Sequence, residues 1–179
     1  MSSSLEPEVD PRQVDPTQDV PSQDLALWFA LYSLTTRYWR DVDFNAGRRA
    51  HEFYQADGLF IAGQNRFAGP DSIRAFYAWR GRAGQTTTRH LVSNLLVAKA
   101  EGRRATAVGM MNLHRADVLA SGAKAVVPIL VADFTSECVR GEDEVWRFSC
   151  QHLNPIFVSA DVPLSLAIDP NFLAAARPS

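Results

Sequence analysis

The chain has 179 residues, 46% of them hydrophobic and 21% charged, with a formal net charge of -2. That length suits one domain with a real core, and the near-neutral balance gives no sign of nucleic acid or an anionic membrane surface as a partner. No apolar run approaches spanning length and no basic-then-apolar leader opens the chain, so neither a membrane span nor a secretory signal is expected, and a cytoplasmic location is.

Residues 1–22 form a polar N-terminal tail of Ser, Pro, Gln, Asp and Glu that cannot order alone, although it can pack on the domain or a partner subunit. A single domain is expected over 23–160, followed by a C-terminal tail over 161–179 in which Phe172 to Ala176 make at most one helical turn. Ser22 suits the N-cap of a first helix, with Leu27, Leu31, Leu34 and Tyr38 at helical spacing and an end near Arg40-Asp41. Asn45 can cap a short second helix through Tyr54, which Asp57-Gly58 breaks. Leu59 to Ala62 and Arg66-Phe67 read as short strands. Pro70 and Asp71 open a third helix with Ile73, Phe76 and Tyr77 buried, closed by Gly81 and Gly84.

From residue 86 the period changes from 3.6 to 2, and four long strands are expected at about 87–100, 104–117, 124–139 and 144–157. Helices followed by a run of antiparallel strands define an α+β fold. The sheet must curl to be covered by three N-terminal helices, which makes a cone-shaped curved antiparallel sheet around a cavity.

The stretch Thr86 to Val97 organises the candidate site. If Glu101-Gly102-Arg103 is a three-residue turn, Ala100 pairs with Arg104 and His90 falls opposite His114, Val92 opposite Asn112, and Asn94 opposite Met110. His90, Asn94, Asn112 and His114 then share one face, whereas a two-residue loop scatters them. Carrying the pairing across the sheet adds His152 to that face, barring bulges. The other face carries Leu91, Leu95, Val97, Met111 and Leu113, too apolar for water, so a second copy of the chain is the simplest cover and a homodimer is expected. Cys138 and Cys150 fall about four residues out of register, roughly 13 Å apart, too far for a disulfide. Free thiols fit a reducing compartment.

These elements, with Tyr38 to Asp43, His51 to Gly58, Phe67 to Ile73, Thr88 to Asn94 and Trp146 to Phe148, resemble the nuclear transport factor 2-like superfamily over about residues 24–157. Within it the chain looks most like the SnoaL-like polyketide cyclase and scytalone dehydratase branch. The resemblance implies a histidine of the Thr-Arg-His region paired with an aspartate after the first helix, and a second histidine on the next strand. Those roles fall on His90, Asp43 and His114. The tyrosine pair that holds water in the dehydratase has no counterpart at Val42 or near Ile61 and Ala62.

Read chemically, His90 is a general base oriented by Asp43, with Asp41 the competing carboxylate. His114, Asn94, Asn112 and His152 are substrate-binding candidates, and the two asparagines can steady an oxygen or satisfy each other. Three histidines on one face invite a zinc reading, but no close ligand pair lies on one element, so no metal and no cofactor are expected. His51 belongs on a helix surface. Trp28, Trp39 and Trp79 read as core, and Tyr32, Tyr38, Tyr54 and Tyr77 are the hydroxyls able to enter the cavity. The leading expectation is a cofactor-independent lyase or isomerase acting on a small cyclic or polyketide-like substrate. The rivals are a non-catalytic small-molecule binding protein and a structural or assembly partner.

Overall fold

The computed structural model describes residues 9–10, 13–15, 25–82, 86–117 and 127–159. The expected Ser22 cap, the stop at Gly84, the first residues of the third long strand and the turn at Phe172 lie outside these.

Helix α1 spans Leu25–Phe44 and buries Leu31, Leu34, Thr35, Tyr38, Trp39 and Val42, a stripe at three- and four-residue spacing. It runs past Asp41, so Asp43 lies in its last turn. A single 3-10 turn, Ala50–Phe53, stands where a second helix was expected. Ala46 and Gly47 take left-handed φ values of 55° and 70°, which stops helical propagation. Gly47 is required there twice over, because a Cβ would lie 2.3 Å from the Tyr77 ring. Strands β1 (Tyr54–Ala62) and β2 (Asn65–Ala68) form a hairpin. Helix α2 (Gly69–Arg82) follows, with Asp71 in its first turn, Arg80 and Arg82 in its last, and Ile73, Phe76 and Tyr77 buried. Two helices and a 3-10 turn therefore replace the three helices.

The long strands are β3 (Thr86–Glu101), β4 (Arg104–Asp117), β5 (Leu130–Arg140) and β6 (Trp146–Val158). The curved, open sheet has the order β2-β1-β6-β5-β4-β3. It is mixed, since β1 runs parallel to β6 while every other pair is antiparallel. The parallel contact joins the two ends of the fold and is reached only through the long crossover between them.

The β3–β4 register departs from expectation for a visible reason. The loop is the two-residue Gly102-Arg103, so Glu101 pairs with Arg104. A bulge at Ala98 then brings Leu96 opposite Val108 and Val97 opposite Ala107, the expected pairing. A second bulge between Ser93 and Leu96 shifts it again, and Asn94 sits there at φ 53°. Beyond it His90 faces Leu113, and Arg89 faces His114. A bulge at Ser149 of β6 likewise places Phe148 and Gln151 on one face, and His152 on the other with Ile61.

The concave face and the two helices enclose one core, in which Tyr38 makes edge contacts with Trp39, Phe53, Tyr54, Phe60, Tyr77 and Phe148. Val97, Met111 and Leu113 belong to this core and Leu95 packs against it, so they do not form the outer face as expected. Leu91 does face outward, 53% exposed. Outside, Val9 of the N-terminal segment accepts a 3.3 Å hydrogen bond from Thr135 Oγ1 through its carbonyl. Both thiols are free and buried. Their register is closer than expected, with Cys138 opposite Phe148 and Cys150 opposite Glu137, but Cys138 points into the core and Cys150 to the opposite face.

Candidate active site

The site begins at the end of α1. Trp39 and Asp43 are four residues apart and therefore lie on one helix face, turned toward β3, whereas Asp41 lies about 200° around the helix from Asp43. Asp41 accordingly serves the following turn, accepting hydrogen bonds from Asn45 Nδ2 (2.5 Å) and the Arg49 backbone N–H (2.9 Å). Asp43 reaches β3, where Thr88 and His90 share the inward parity. Its Oδ1 accepts from Thr88 Oγ1 at 2.9 Å and lies 2.6 Å from His90 Nδ1, and its Oδ2 accepts the His90 backbone N–H at 2.8 Å. The side chains of His90 and Asp43 are 4% and 5% exposed.

Burial opposes charge on both partners. It pushes the Asp43 carboxyl up, but the hydrogen bonds and the charge interaction with His90, and the Thr88 bond, outweigh it and hold the group below its ordinary value. Burial lowers the His90 imidazole, and Asp43 restores only part of that. At neutral pH the pair is a carboxylate with a neutral imidazole. Nδ1–H then donates to Asp43 and Nε2 keeps its lone pair, the arrangement of an oriented general base. Trp39 stacks on the imidazole, with centroids 4.2 Å apart and planes 16° apart, and fixes the ring from one side.

His90, Asp43, Trp39 and Thr88 form one cluster, and the other expected site residues do not join it. Asn94 lies in the bulge with its Nδ2 3.3 Å from Met110 Sδ. Asn112 pairs with outward Leu91, and His114 with Arg89, so His114 and Asn112 are on the face opposite His90. His152 also faces outward, so the three histidines do not converge. Among the described residues no group of three His, Cys, Asp or Glu side chains is placed to hold a metal ion. His51 is only partly buried and lies within the 3-10 turn.

Tyr38, Tyr54 and Tyr77 do enter the interior, while Tyr32 stays at the surface, stacked on Trp28 at 5.1 Å. Tyr38 and Tyr77 hydroxyls are 2.6 Å apart, and Tyr54 donates to Gln151 Oε1 at 2.6 Å. Burial pushes all three phenols up, Tyr77 to about 12, so they act as neutral hydrogen-bonding groups. An open groove of about 260 Å³ lies beside Arg37, Arg40, Asp41, Phe44, Asn45 and Phe53, on the Asp41 side of α1, and His90 does not line it. Trp39 and Thr88 were not singled out from sequence as site residues. The usable signals were helical spacing from Asp43 and strand parity with His90.

A SnoaL-like domain model matches residues 27–150, and the chain belongs to that family. No curated protein matches. Among solved structures, ActVI-ORFA from Streptomyces coelicolor is 16% identical with a TM-score of 0.65, covering 74% of this chain and 97% of that one. A protein from Catenulispora acidiphila in complex with S-DNPA is 15% identical with a TM-score of 0.63, over 73% and 93% of the two chains. An NTF2-like protein with a cystatin-like fold from Novosphingobium aromaticivorans is 21% identical with a TM-score of 0.59, over 74% and 84%. At these identities the likeness is one of fold. No helix among the described residues is long and apolar enough to cross a membrane.

Proposed function

We propose that the protein is a cofactor-independent lyase or isomerase in which His90 Nε2 moves a proton next to a carbonyl of a small cyclic, polyketide-like substrate. The observation that carries this reading is the buried pairing of His90 Nδ1 with Asp43 Oδ1 at 2.6 Å. Asp43 fixes the tautomer, Trp39 fixes the ring plane, and the substrate meets Nε2 on the inward side of the sheet, the side that His90 faces. The complex of the Catenulispora acidiphila protein with S-DNPA supports a ligand-binding role for this fold. Asn94, Asn112, His114 and His152 drop out of the substrate contacts, since they lie at the bulge or on the outer face. Two further parts of the reading are pairing of two copies through that outer face, supported by the exposure of Leu91, and a cytoplasmic location, supported by two free thiols.

The test needs no natural substrate. The cyclic ketone 1-tetralone in deuterated buffer reports proton abstraction at its C2 position, where base removes a proton and solvent returns a deuteron. Wild-type protein should accelerate exchange, and His90→Ala should lose about 10²–10⁴-fold of that acceleration while staying folded. Asp43→Asn should lose less. Equal exchange with and without wild-type protein would favour the non-catalytic binding protein instead.

A further inference from the structure

One row of side chains crosses the concave wall of the sheet: Val97, Ala107, Ser136, Gln151 and Phe60, paired strand to strand from β3 to β1. Ser136 and Gln151 are wholly buried, and neighbouring Ala107 is small and wholly buried too. Ser136 Oγ and Gln151 Nε2 have no hydrogen-bond partner among the described residues. Tyr54 occupies the other end of the amide, so one amide atom stays unpartnered whichever way round the group is turned. Trp39 Nε1, on the ring stacked against His90, is a third buried donor without a partner.

Buried polar atoms are nearly always paired, because an unmade bond costs the full desolvation of the group. Two unpartnered groups on directly opposed residues of adjacent strands have Cβ atoms about 4.5–5.5 Å apart, close enough to share one acceptor. The wall around them offers phenols, an amide and a hydroxyl, and the buried Asp43 carboxylate nearby is already taken up by His90 and Thr88. A charged ligand group would be desolvated there without compensation. The wall is continuous with the base: Trp39 contacts both His90 and Tyr38, Tyr38 packs on Tyr54, and Tyr54 bonds to Gln151.

We propose that Ser136 and Gln151 form an oxygen-binding subsite that takes a neutral ring carbonyl of the ligand, with Gln151 Nε2–H and Ser136 Oγ–H donating to it. The inference rests on the cavity reading above and adds which functional group the cone selects and where it is held. Specificity for an oxygenated ring over a plain hydrocarbon follows, since the hydrocarbon leaves both donors unpaired.

The experiment compares binding of 1-tetralone with tetralin, the same two rings without the oxygen, by calorimetry on the full chain. Wild type should prefer the ketone by roughly tenfold, the contribution of two neutral hydrogen bonds. Ser136→Ala should lose part of that preference. The double variant Tyr54→Phe/Gln151→Leu, which removes both members of the internal pair, should lose most of it. Ser136→Ala should not lower the thermal midpoint of the ligand-free protein, because an unpartnered buried hydroxyl contributes no stability. If Gln151→Leu proteins fail to fold, Ser136→Ala alone carries the comparison. Equal binding of ketone and hydrocarbon, binding of neither, or a preference unchanged in Ser136→Ala would each overturn the proposal. His90→Ala should keep the ketone preference. Wild-type protein that prefers the ketone but does not accelerate exchange therefore defeats only the base, and wild-type exchange without any preference defeats only the subsite.

Discussion

Asp43 accepts three hydrogen bonds from two residues of β3, and each is made in a place with little water. Removing the carboxylate leaves three buried donors without an acceptor, so Asp43→Ala should cost about 1–3 kcal/mol of stability as well as any activity. The pH dependence has a definite sign. The folded His90 lies below the ordinary imidazole value of 6.5, so the unfolded chain takes up its proton first and stability falls as pH drops below about that value. Asp43 lies below 3.8, so its contribution is present above that value and is lost as pH falls through the lower folded one. Both effects slope the same way. Urea midpoints should therefore fall from pH 7 to pH 5 and again toward pH 3, and the first drop should shrink in His90→Asn. His51, also lowered by burial, retains a share of it. A midpoint that holds or rises between pH 7 and pH 5 would contradict the neutral, buried imidazole.

At the scale of elements, one residue decides what the hairpin presents. The register read from sequence does hold where Leu96 meets Val108. Continued without a break it puts His90 opposite His114, and the bulge at Asn94 separates them. The strand pattern was legible because alternation is a period in the sequence, but a bulge is one extra residue that changes parity without changing composition. Asn is among the few non-glycine residues that tolerate the left-handed region, so the signal was present though weak. Asn94→Gly should keep stability within about 0.5 kcal/mol, and Asn94→Val should lose about 1–2 kcal/mol. Chemical denaturation checks both. A valine tolerated without loss would mean that the bulge is elsewhere. The second helix failed for a related reason, because Ala46 at positive φ is not a choice that local propensity predicts.

At the scale of the whole molecule, the α+β class, the order of the strands along the chain and the Asp43–His90 contact were readable, whereas the closing by three helices was not, since only the former follow from periodicity and from family-like spacing around Thr88 to Asn94. The parallel β1–β6 contact was not, because it joins residues nearly a hundred positions apart with no turn to announce it. Nor was the split of the polar residues between faces, which sums every bulge across the sheet. The outer face still presents Leu91, 53% exposed, so the assembly prediction moves from Leu95 and Val97 to Leu91. Light scattering should give the mass of two chains at micromolar concentration, and Leu91→Glu should shift it toward one, because a carboxylate at a covered apolar contact is desolvated without a partner. A wild-type monomer under those conditions would remove the dimer.

The most direct measurement of the central claim is the ¹⁵N chemical-shift titration of the His90 imidazole. The ring should carry its proton on Nδ1 and a bare Nε2 at pH 7, and should titrate below 6.5 in the folded protein. In Asp43→Asn the Nδ1 preference should weaken. An imidazolium at pH 7, or a proton resting on Nε2 with Nδ1 bare, would contradict a base poised on Nε2.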